Sequence, residues 1–403
     1  MIRRVESWYA AFGAIVNEGH LVSADGLVSL VDAAVADLGI EVRFYLVDLP
    51  QRQLHPVAAD AGPSLPVDEG VPGRTFQLCA IVRDEDEHGG VLWLPLLDGT
   101  ERLGVLRVAL PAGTDPDDSW IREQCWTLSG LLAHVVSSKA HYSDLFHVVR
   151  RSRQLTLSAE LLWQLLPPQT FATPRVVVTA VVEPYAEVGG DAYDYAVDGD
   201  RAYVAVFDAM GHDTRAGTTS GLALAATRNA RRGGLPLVDA AAFADRAIAE
   251  QNADTRFATA LLAELNLETG VFEHLNAGHP PPVLLRGNGF LKNLGGVSCP
   301  PLGLGHLVGA VPKLEREQLE PGDRVLLYTD GVVEARDEAG TQFGLDRLVD
   351  LVEHHHREGL PAPETLRRIV HAVLDHQHGS LQDDATMLLL EWPTSPARLL
   401  PDV

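Results

Sequence analysis

Hydrophobic and polar residues follow two different periods along this chain, and the changes of period divide it into regions. Residues 27–38 repeat apolar side chains at helical spacing, and EVRFYLVD at 41–48 has the aromatic and β-branched residues typical of a strand. Two apolar runs then flank the turn sequence DGTE at 98–101, which predicts a hairpin. A helical pattern opened by DPDDSW follows and ends near Val136. Residues 1–140 are therefore predicted to form one α/β domain.

Two seven-residue series of mostly apolar residues run through the segment 143–166. One series comprises Leu145, Ser152, Ala159 and Leu166, and the other comprises Val148, Leu155 and Leu162. Their offset is that of the a and d positions of a coiled coil, so residues 141–168 are predicted to be a helical linker that could hold a homodimer together. A single helix packed on its own domain explains the same pattern. Because proline cannot continue a helix, we place the domain boundary at Pro167-Pro168.

From about residue 175 the chain alternates strand-like and helix-like segments. Strands are predicted for RVVVTAVVEP, RAYVAVFDAM, ATALLAELNLETG, VFEHLNAGH, PPVLLRG, DRVLLYTDG and ATMLLLEW. Helices are predicted for TRAGTTSGLALAATRNARR, LVDAAAFADRAIAEQ, FGLDRLVDLVEHHH and PETLRRIVHAVLDHQ. Many strands follow one another in hairpin-like succession, and paired helices interrupt them. This order favours an α+β fold, with sheets covered by helices, over a strictly alternating βαβ fold.

The charge of the chain bears on its partners. Its 403 residues include 55 acidic and 32 basic side chains, for a net charge of −23. Nucleic acid is not expected as a partner, because phosphate backbones are neutralised by Lys and Arg. A phosphorylated substrate stays possible if metal ions supply positive charge locally. No uninterrupted apolar run is long enough to span a membrane, and Glu6 interrupts the apolar stretch near the N-terminus, so we expect a cytoplasmic protein without a membrane partner.

Four short segments place aspartate where an apolar strand ends or begins, beside glycine or another small residue. They are Gly189-Gly190-Asp191, Phe207-Asp208-Ala209-Met210-Gly211-His212, Tyr328-Thr329-Asp330-Gly331 and Gln382-Asp383-Asp384-Ala385-Thr386. Each segment alone could be a turn or a cap. Carboxylates crowded at buried strand ends are penalised by desolvation and by mutual repulsion, and divalent cations relieve both penalties. Together the four segments predict a site for Mg²⁺ or Mn²⁺, which prefer hard oxygen ligands.

Residues 175–392 resemble the PPM-type phosphatases, which are metal-dependent serine/threonine phosphatases. Within that family they are most similar to the SpoIIE-like bacterial branch. The resemblance is carried, in chain order, by Glu183-Pro184 with Val188-Gly189-Gly190-Asp191-Ala192-Tyr193-Asp194, by FDAMGHD, by Asn276-Ala277-Gly278-His279-Pro280, by TDGVVEARDEAG with Phe343-Gly344, and by DDAT. It implies an αββα β-sandwich over residues 172–393, followed by a tail at 394–403. It also implies hydrolysis of phosphoserine or phosphothreonine on a small regulator of the anti-anti-sigma type.

The resemblance further implies a role for each site residue. Asp208 would bridge two metal ions, with the Ala209 carbonyl near one of them. Asp191 would hold the first ion, through water. The second ion would be bound by Asp330 and Asp383, with Asp384 adjacent and supporting. The cofactor would be two or more Mg²⁺ or Mn²⁺ ions, which lower the pKa of a water that attacks phosphorus in line with the leaving oxygen.

Four further features each allow two interpretations. Asp213 stands where the family often has glycine, and it either caps the following helix or has a metal-related role. His212 could donate a proton to the leaving group, although its spacing from Asp208 differs from that of eukaryotic relatives. His279 either orders a loop or meets phosphate. The run at 354–356, three histidines late in an amphipathic helix, favours a solvated face over a metal site.

Residues 1–140 more weakly resemble GAF-type sensory domains, and a PAS-like or purely structural α/β domain is the alternative. A small-molecule ligand there would regulate the phosphatase only if its affinity differed between two states of the protein. Two other functions compete with the phosphatase. Diguanylate cyclases need an acidic residue directly after Gly-Gly-Asp, where this chain has Ala192. A non-catalytic binding module could keep the phosphatase fold, although such a module has no need of the aspartates.

Overall fold

The computed structural model describes residues 2–58, 62–86, 89–183, 189–211, 213–251, 256–287, 289–296, 298–308, 312–379 and 381–394. They divide into two units, one that ends at Arg153 and one that begins at Gln154. Within the described residues, no helix is both long enough and apolar enough to span a lipid bilayer.

The described residues of the first unit form a six-stranded antiparallel sheet flanked by helices. The strands are β1 (Glu41–Val47), β2 (Gln53–Pro56), β3 (Leu65–Pro66), β4 (Val82–Asp86), β5 (Gly89–Asp98) and β6 (Glu101–Ala109). The helices are α1 (Ile2–Gly19), α2 (Leu27–Val35), α3 (Gly70–Leu78), α4 (Ser119–Ala140) and α5 (Asp144–Val149). The strand order is β3-β2-β1-β6-β5-β4. One apolar core lies between the sheet and α1, α2 and α4, and a second includes Phe76 of α3.

The elements predicted for this unit are confirmed. Strands β5 and β6 form the expected hairpin, in which Asp98 pairs with Glu101 across the turn. A short 3-10 helix, Ala36–Leu38, continues α2 to the predicted end. Helix α4 begins after Asp118, whose side chain accepts hydrogen bonds from two main-chain amides of the first turn and so satisfies donors that the helix cannot pair.

The prediction of one continuous helix over residues 143–166 is wrong. The segment forms α5 in the first unit and α6 (Leu157–Leu165) in the second, with no helix between them. Ser143 and Thr156 each cap a helix by accepting a main-chain amide, so the chain starts a helix twice. Between them, the Arg150 guanidinium donates to the Val47 carbonyl at 3.0 Å. Because the two heptad series do not share one helix, the predicted homodimer has no continuous coiled coil to support it.

The described residues of the second unit form two antiparallel sheets. The first contains β9 (Asp191–Asp198), β10 (Arg201–Ala209), β11 (Ala258–Asn266), β12 (Val271–Ala277) and β15 (Glu315–Gln318). The second contains β7 (Thr170–Thr173), β8 (Val176–Glu183), β13 (Val283–Arg286), β14 (Gly289–Asn293), β16 (Arg324–Tyr328) and β17 (Ala385–Glu391). The strand orders are β15-β12-β11-β10-β9 and β14-β13-β16-β17-β8-β7.

Helices cover both sheets of the second unit. They are α6, α7 (Thr214–Arg232), α8 (Leu237–Gln251), α9 (Gly305–Val308), α10 (Asp330–Val333), α11 (Leu345–Arg357) and α12 (Ala362–His376). Helices α7 and α8 pack on the five-stranded sheet, whereas α11 and α12 pack on the six-stranded sheet. One continuous apolar core joins residues of the two sheets, among them Val204 and Leu388. The predicted αββα sandwich is therefore confirmed, and α6, with Ala159 and Leu162 in the same core, belongs to it.

Candidate active site

Two aspartates face each other at one end of the five-stranded sheet. Asp208 is the second-last residue of β10, Asp191 is the first residue of β9, and the two are paired across these antiparallel strands. Strand β10 is otherwise buried from Ala202 to Ala209, and Asp208 is half-buried. Asp191 is only 1% exposed. Cross-strand pairing thus holds two carboxylates together where their mutual repulsion is costly.

Asp384 links the start of β17 to the start of β9, and so joins the two sheets. Its Oδ2 atom accepts the main-chain amides of Gly189 and Gly190 at 2.7 Å each, and that of Asp191 at 3.4 Å. Successive amides of this kind form a concave site for an anion. Glycine is required at position 190, because a Cβ atom there would lie 2.3 Å from the Ala209 carbonyl oxygen. The Gly-Gly-Asp segment is therefore a backbone turn organised around the Asp384 carboxylate.

The Thr329-Asp330-Gly331 segment completes the cluster from the end of β16. The Thr329 hydroxyl donates to Asp191 Oδ2 at 2.8 Å and accepts the Thr386 amide at 2.9 Å. Asp330 is the first residue of the short helix α10. A Cβ atom on Gly331 would lie 1.9 Å from the Asp384 carbonyl oxygen, so only glycine lets the two segments approach this closely.

The carboxylates of the cluster interact electrostatically. Burial raises the pKa of Asp191 well above its ordinary value, and the charges of Asp208 and Asp384 raise it further. Burial and the charges of Asp330, Asp383 and Asp384 raise the pKa of Asp208 to about 7. The pKa of Asp384 is raised to about 6, mainly by burial, and that of Asp330 is raised by burial and by Asp383. The structure therefore brings together all five aspartates that the sequence singled out.

The donor chemistry of this cluster suits Mg²⁺ or Mn²⁺. Every titratable member is a carboxylate, the ligand that these ions prefer, and bound cations would offset the repulsion that raises the pKa values. Among the described residues, however, no group of three or more His, Cys, Asp or Glu side chains stands in a ready ion-binding arrangement. The carboxylates of the cluster are therefore suitable ligands for Mg²⁺ or Mn²⁺. The six ligands given above, five aspartates and the Ala209 carbonyl, stay a prediction.

Comparison with known proteins identifies the domain that contains this cluster. Residues 198–393 match the family model described as Stage II sporulation protein E (SpoIIE). This part of the second unit is similar to SpoIIE-like PPM phosphatase domains. The matched residues include four of the five aspartates, with Asp191 just before them. The predicted family resemblance is confirmed over this stretch, whereas the GAF-like character of residues 1–140 stays a prediction.

Individual relatives match smaller parts of the chain. The chain is 26% identical over 240 residues to "Phosphoserine phosphatase RsbU" of Bacillus subtilis. This alignment covers 59% of the chain and 69% of that protein. It is 29% identical over 147 residues to "Protein IcfG" of Synechocystis sp., which covers 35% of this chain and 22% of that protein. The solved RsbU and RsbW domains of a Mycobacterium tuberculosis protein are 26% identical, with a TM-score of 0.47, covering 56% of this chain and 62% of theirs. The chain thus spans about a fifth of IcfG.

Two of the alternatives that the sequence left open are resolved by the geometry. Asp213 caps α7 by accepting the amides of Arg215 and Ala216 at 3.0 and 2.9 Å, which confirms its interpretation as a capping residue. Among the three histidines of α11, the side chains at 354 and 356 are exposed but that of His355 is buried, so the prediction of a fully solvated run is wrong for His355. His212 lies outside the described residues.

Two threonines that contact the aspartates were not predicted from the sequence. Thr329 holds Asp191, as described above. Thr259 pairs with Asp208 across β10 and β11. A hydrogen bond from its side chain lowers the pKa of Asp208, but burial and the neighbouring carboxylates raise that pKa by more. His279, singled out without a settled role, contacts Thr259, with Oγ1 and Nδ1 2.8 Å apart. A lone threonine in the otherwise apolar start of ATALLAEL was the available signal for Thr259.

Proposed function

We propose that this chain hydrolyses phosphoserine or phosphothreonine on a regulatory protein, using Mg²⁺ or Mn²⁺ ions held by the aspartate cluster. The observation that carries this proposal is the position of Asp208. Asp208 interacts electrostatically with Asp191, Asp330, Asp383 and Asp384. No cationic residue is among the groups that shift its pKa. Cations are the simplest agents that would make five such carboxylates compatible.

The geometry supports distinct roles for the aspartates. Asp208 interacts electrostatically with the other four carboxylates and would hold the ions, with the Ala209 carbonyl beside it. Exposed Asp383 and half-buried Asp330 are free to reach a second ion. Bound ions would supply a water of lowered pKa and would offset the charge of the phosphoryl group.

The remaining polar groups hold this arrangement in place. Asp191 is fixed by the Thr329 hydroxyl, which donates to its Oδ2 atom. Asp384 already accepts main-chain amides with Oδ2, so its main effect is to fix the Gly189–Asp191 turn against β17. Rigid placement of this kind is what an in-line displacement requires, because misplacement of the reacting groups is costly.

An activity assay on the purified full chain tests the proposal. We expect hydrolysis of p-nitrophenyl phosphate and of a phosphoserine peptide with Mn²⁺, loss of both activities with EDTA, and loss by at least about 100-fold in Asp208→Asn. The matched control is Asp200→Asn, a partly exposed aspartate at the far end of the same β9–β10 hairpin, which should keep full activity. Activity that persists in Asp208→Asn would sink the assignment.

The substrate class rests on the relatives. RsbU is named as a phosphoserine phosphatase, and the solved Mycobacterium tuberculosis protein combines RsbU and RsbW domains. The name of RsbU supports phosphoserine as the group that is hydrolysed. A small regulator of the anti-anti-sigma type is proposed as the substrate because the motifs of this chain resemble those of the SpoIIE-like branch. Incubating a cell extract with the active chain, and with its Asp208→Asn variant, would identify the substrate as the phosphopeptide lost only in the first sample. Loss of no phosphopeptide would contradict this part of the proposal.

The first unit is proposed to be a GAF-like sensory domain. It contains a cavity of about 320 Å³ lined by residues that include Trp8, Leu38, Leu110 and Ile121, which suits a small and largely apolar ligand. If this ligand controls the phosphatase, hydrolysis by the full chain should change on its addition, while Trp8→Ala should abolish the response and leave the rate without ligand unaltered. Sedimentation velocity on the same protein would test the predicted homodimer.

A second candidate is a non-catalytic binding module that keeps the phosphatase fold. The observation in its favour is that no three metal-binding side chains of the described residues stand in a ready ion-binding arrangement. This candidate predicts that the full chain binds a phosphorylated partner without releasing phosphate at any Mn²⁺ concentration. The assay above therefore separates the two functions directly.

A further inference from the structure

Ser220 of α7 carries a buried hydroxyl group that the function above does not use. The residue is 0% exposed, and its Oγ atom donates to the Gly190 carbonyl oxygen. Because a carbonyl oxygen can only accept, the direction of this hydrogen bond is fixed by chemistry alone. The bond joins α7 to the turn that leads into β9.

Three threonine hydroxyls of α7 bond in a different way. Those of Thr218, Thr219 and Thr227 each donate to the carbonyl four residues earlier in the helix, at 2.8, 2.8 and 2.9 Å. Such bonds stay within the helix and hold nothing outside it. The Ser220 hydroxyl donates to Gly190 instead, so its hydrogen bond is a tertiary contact between the helix and the turn.

The Gly190 carbonyl belongs to the peptide group that leads into Asp191. Its oxygen accepts from Ser220 and from the Ala209 amide, the latter at 3.0 Å, so both of its lone pairs have a donor. The amide of the same peptide group, that of Asp191, donates to Asp384 at 3.4 Å. Because a peptide group is planar, contacts at its oxygen and at its nitrogen together fix its rotation. They thereby fix the direction in which the Asp191 side chain leaves the main chain.

The two glycines of the turn make such contacts necessary. Without a Cβ atom, glycine adopts more backbone conformations than other residues, so a Gly-Gly pair does not hold a turn by itself. Helix α7 lies close to both glycines. A Cβ atom on Gly217 would lie 3.2 Å from the Gly189 carbonyl oxygen, and Ser220 bonds to Gly190 one helical turn later. The helix therefore packs against the turn and supplies a donor to it.

We propose that Ser220 is a positioning residue whose hydroxyl holds the Gly190–Asp191 peptide group in the orientation that directs the Asp191 carboxylate into the aspartate cluster. This inference rests on the proposed function, because Asp191 matters here as an ion ligand. Groups that orient a metal ligand typically contribute about 10- to 100-fold to metal affinity or activity. Ser220 acts through the main chain of the ligand, so its effect belongs at the lower end of this range.

The Mn²⁺ dissociation constant of the full chain, measured by titration calorimetry, tests this role by a readout other than activity. Ser220→Ala removes only the hydroxyl, and alanine favours a helix more than serine does, so α7 itself should stay intact. We expect Ser220→Ala to weaken Mn²⁺ binding by about tenfold. The Mn²⁺ concentration for half-maximal hydrolysis of a phosphoserine peptide should rise by the same factor, while the KM for the peptide at saturating Mn²⁺ stays unchanged.

Thr219→Val is the matched control. It removes a buried hydroxyl at the neighbouring position of α7, where the hydrogen bond goes to the Arg215 carbonyl of the same helix. Whatever each substitution does to Tm in EDTA, only Ser220→Ala should weaken Mn²⁺ binding. Unchanged affinity in Ser220→Ala, or an equal loss of affinity in Thr219→Val, would overturn the proposal.

Failure of this inference is distinguishable from failure of the proposed function. If Asp208→Asn abolishes Mn²⁺ binding and activity while Ser220→Ala alters neither, the phosphatase assignment stands and the role of Ser220 is wrong. If the unmodified chain binds no Mn²⁺, or if Asp208→Asn stays active, the proposed function is wrong and the inference about Ser220 fails with it.

Discussion

Strand β9 carries two buried aspartates, three residues apart, in opposite electrostatic settings. Asp191 and Asp194 are each 1% exposed. Asp194 accepts hydrogen bonds from Arg228 at 2.5 Å and from Arg231 at 2.9 Å, both from α7. Asp191 is hydrogen-bonded by the neutral Thr329 hydroxyl and is repelled by neighbouring carboxylates.

This difference separates a structural carboxylate from a functional one. At Asp194 the attraction of two arginines of the same chain offsets the desolvation cost of burying the charge. Among the residues that the structure describes, no such cation accompanies Asp191 and its neighbours, so the compensation must come from bound ions or from protonation. Buried carboxylates that are left without an internal partner are therefore the ones to examine for chemistry.

The largest expected effect is the loss of activity in Asp191→Asn. Asparagine keeps an acceptor for Thr329 but removes one charge from the cluster, so phosphoserine-peptide hydrolysis should fall by at least about 100-fold. Because a repulsive charge is removed, Tm measured in EDTA should stay level or rise. A fall in Tm as large as that of Asp194→Asn would instead show that Asp191, like Asp194, mainly stabilises the fold.

The next effect concerns stability and is expected at Asp194. Asp194→Asn removes the charge that balances two arginines and should lower the free energy of unfolding by about 3 kcal/mol, near the low end for a broken buried pair because each arginine side chain is about one-fifth exposed. Urea denaturation of both variants measures the change. If Asp194→Asn unfolds like the unmodified chain, the ion pair is not a source of stability and the contrast with Asp191 fails.

The pH dependence of metal-free stability has a definite sign. The pKa of Asp208 is raised from 3.8 to about 7 in the folded protein, so its ionised form is disfavoured there. The free energy of unfolding in EDTA should therefore fall as pH rises from about 4 to about 7, by up to about 1.4 kcal/mol for each step of one in pH, and then level off. Melting curves with EDTA should show this fall, Mn²⁺ should flatten it, and Asp208→Asn should reduce it, because Asp191, Asp330 and Asp384 also have raised pKa values. A Tm that rises over this range, with the same slope in Asp208→Asn, would contradict this interpretation.

The smallest effect should come from Asp213, which is exposed and caps α7. Asp213→Ala removes the acceptor for the Arg215 and Ala216 amides, so we expect a small fall in Tm with Mn²⁺ affinity unchanged. Asp213→Ser, which can still cap, is the matched control. Weaker Mn²⁺ binding in Asp213→Ala would show that this aspartate belongs with the cluster after all.

The convergence of the aspartates could be predicted from sequence because each one adjoins an apolar run that is recognisable locally. Strands such as β10 and β17 are buried almost throughout, so their ends are visible in the sequence pattern. The threonines that hold the aspartates could not be predicted in this way. Thr329 meets Asp191 across 138 residues of sequence, and that contact depends on how the two sheets pack.

Strand β9 and the interrupted connector were missed for related reasons. The sequence DAYDYAVD contains a central charge, which argues against a buried strand until Arg228 and Arg231 of α7 are placed beside it. The heptad pattern outweighed the capping signals at Ser143 and Thr156. The contact between Arg150 and Val47, 103 residues apart in the chain, is tertiary and leaves no local trace.

Mn²⁺ binding to the metal-free full chain, followed by titration calorimetry beside Asp208→Asn, tests most directly whether the carboxylates converge to hold cations. We expect saturable binding to the unmodified chain and a loss of at least about tenfold in affinity when the Asp208 charge is removed. Absence of binding, or equal affinity in the two proteins, would contradict the central claim that cations hold these carboxylates together.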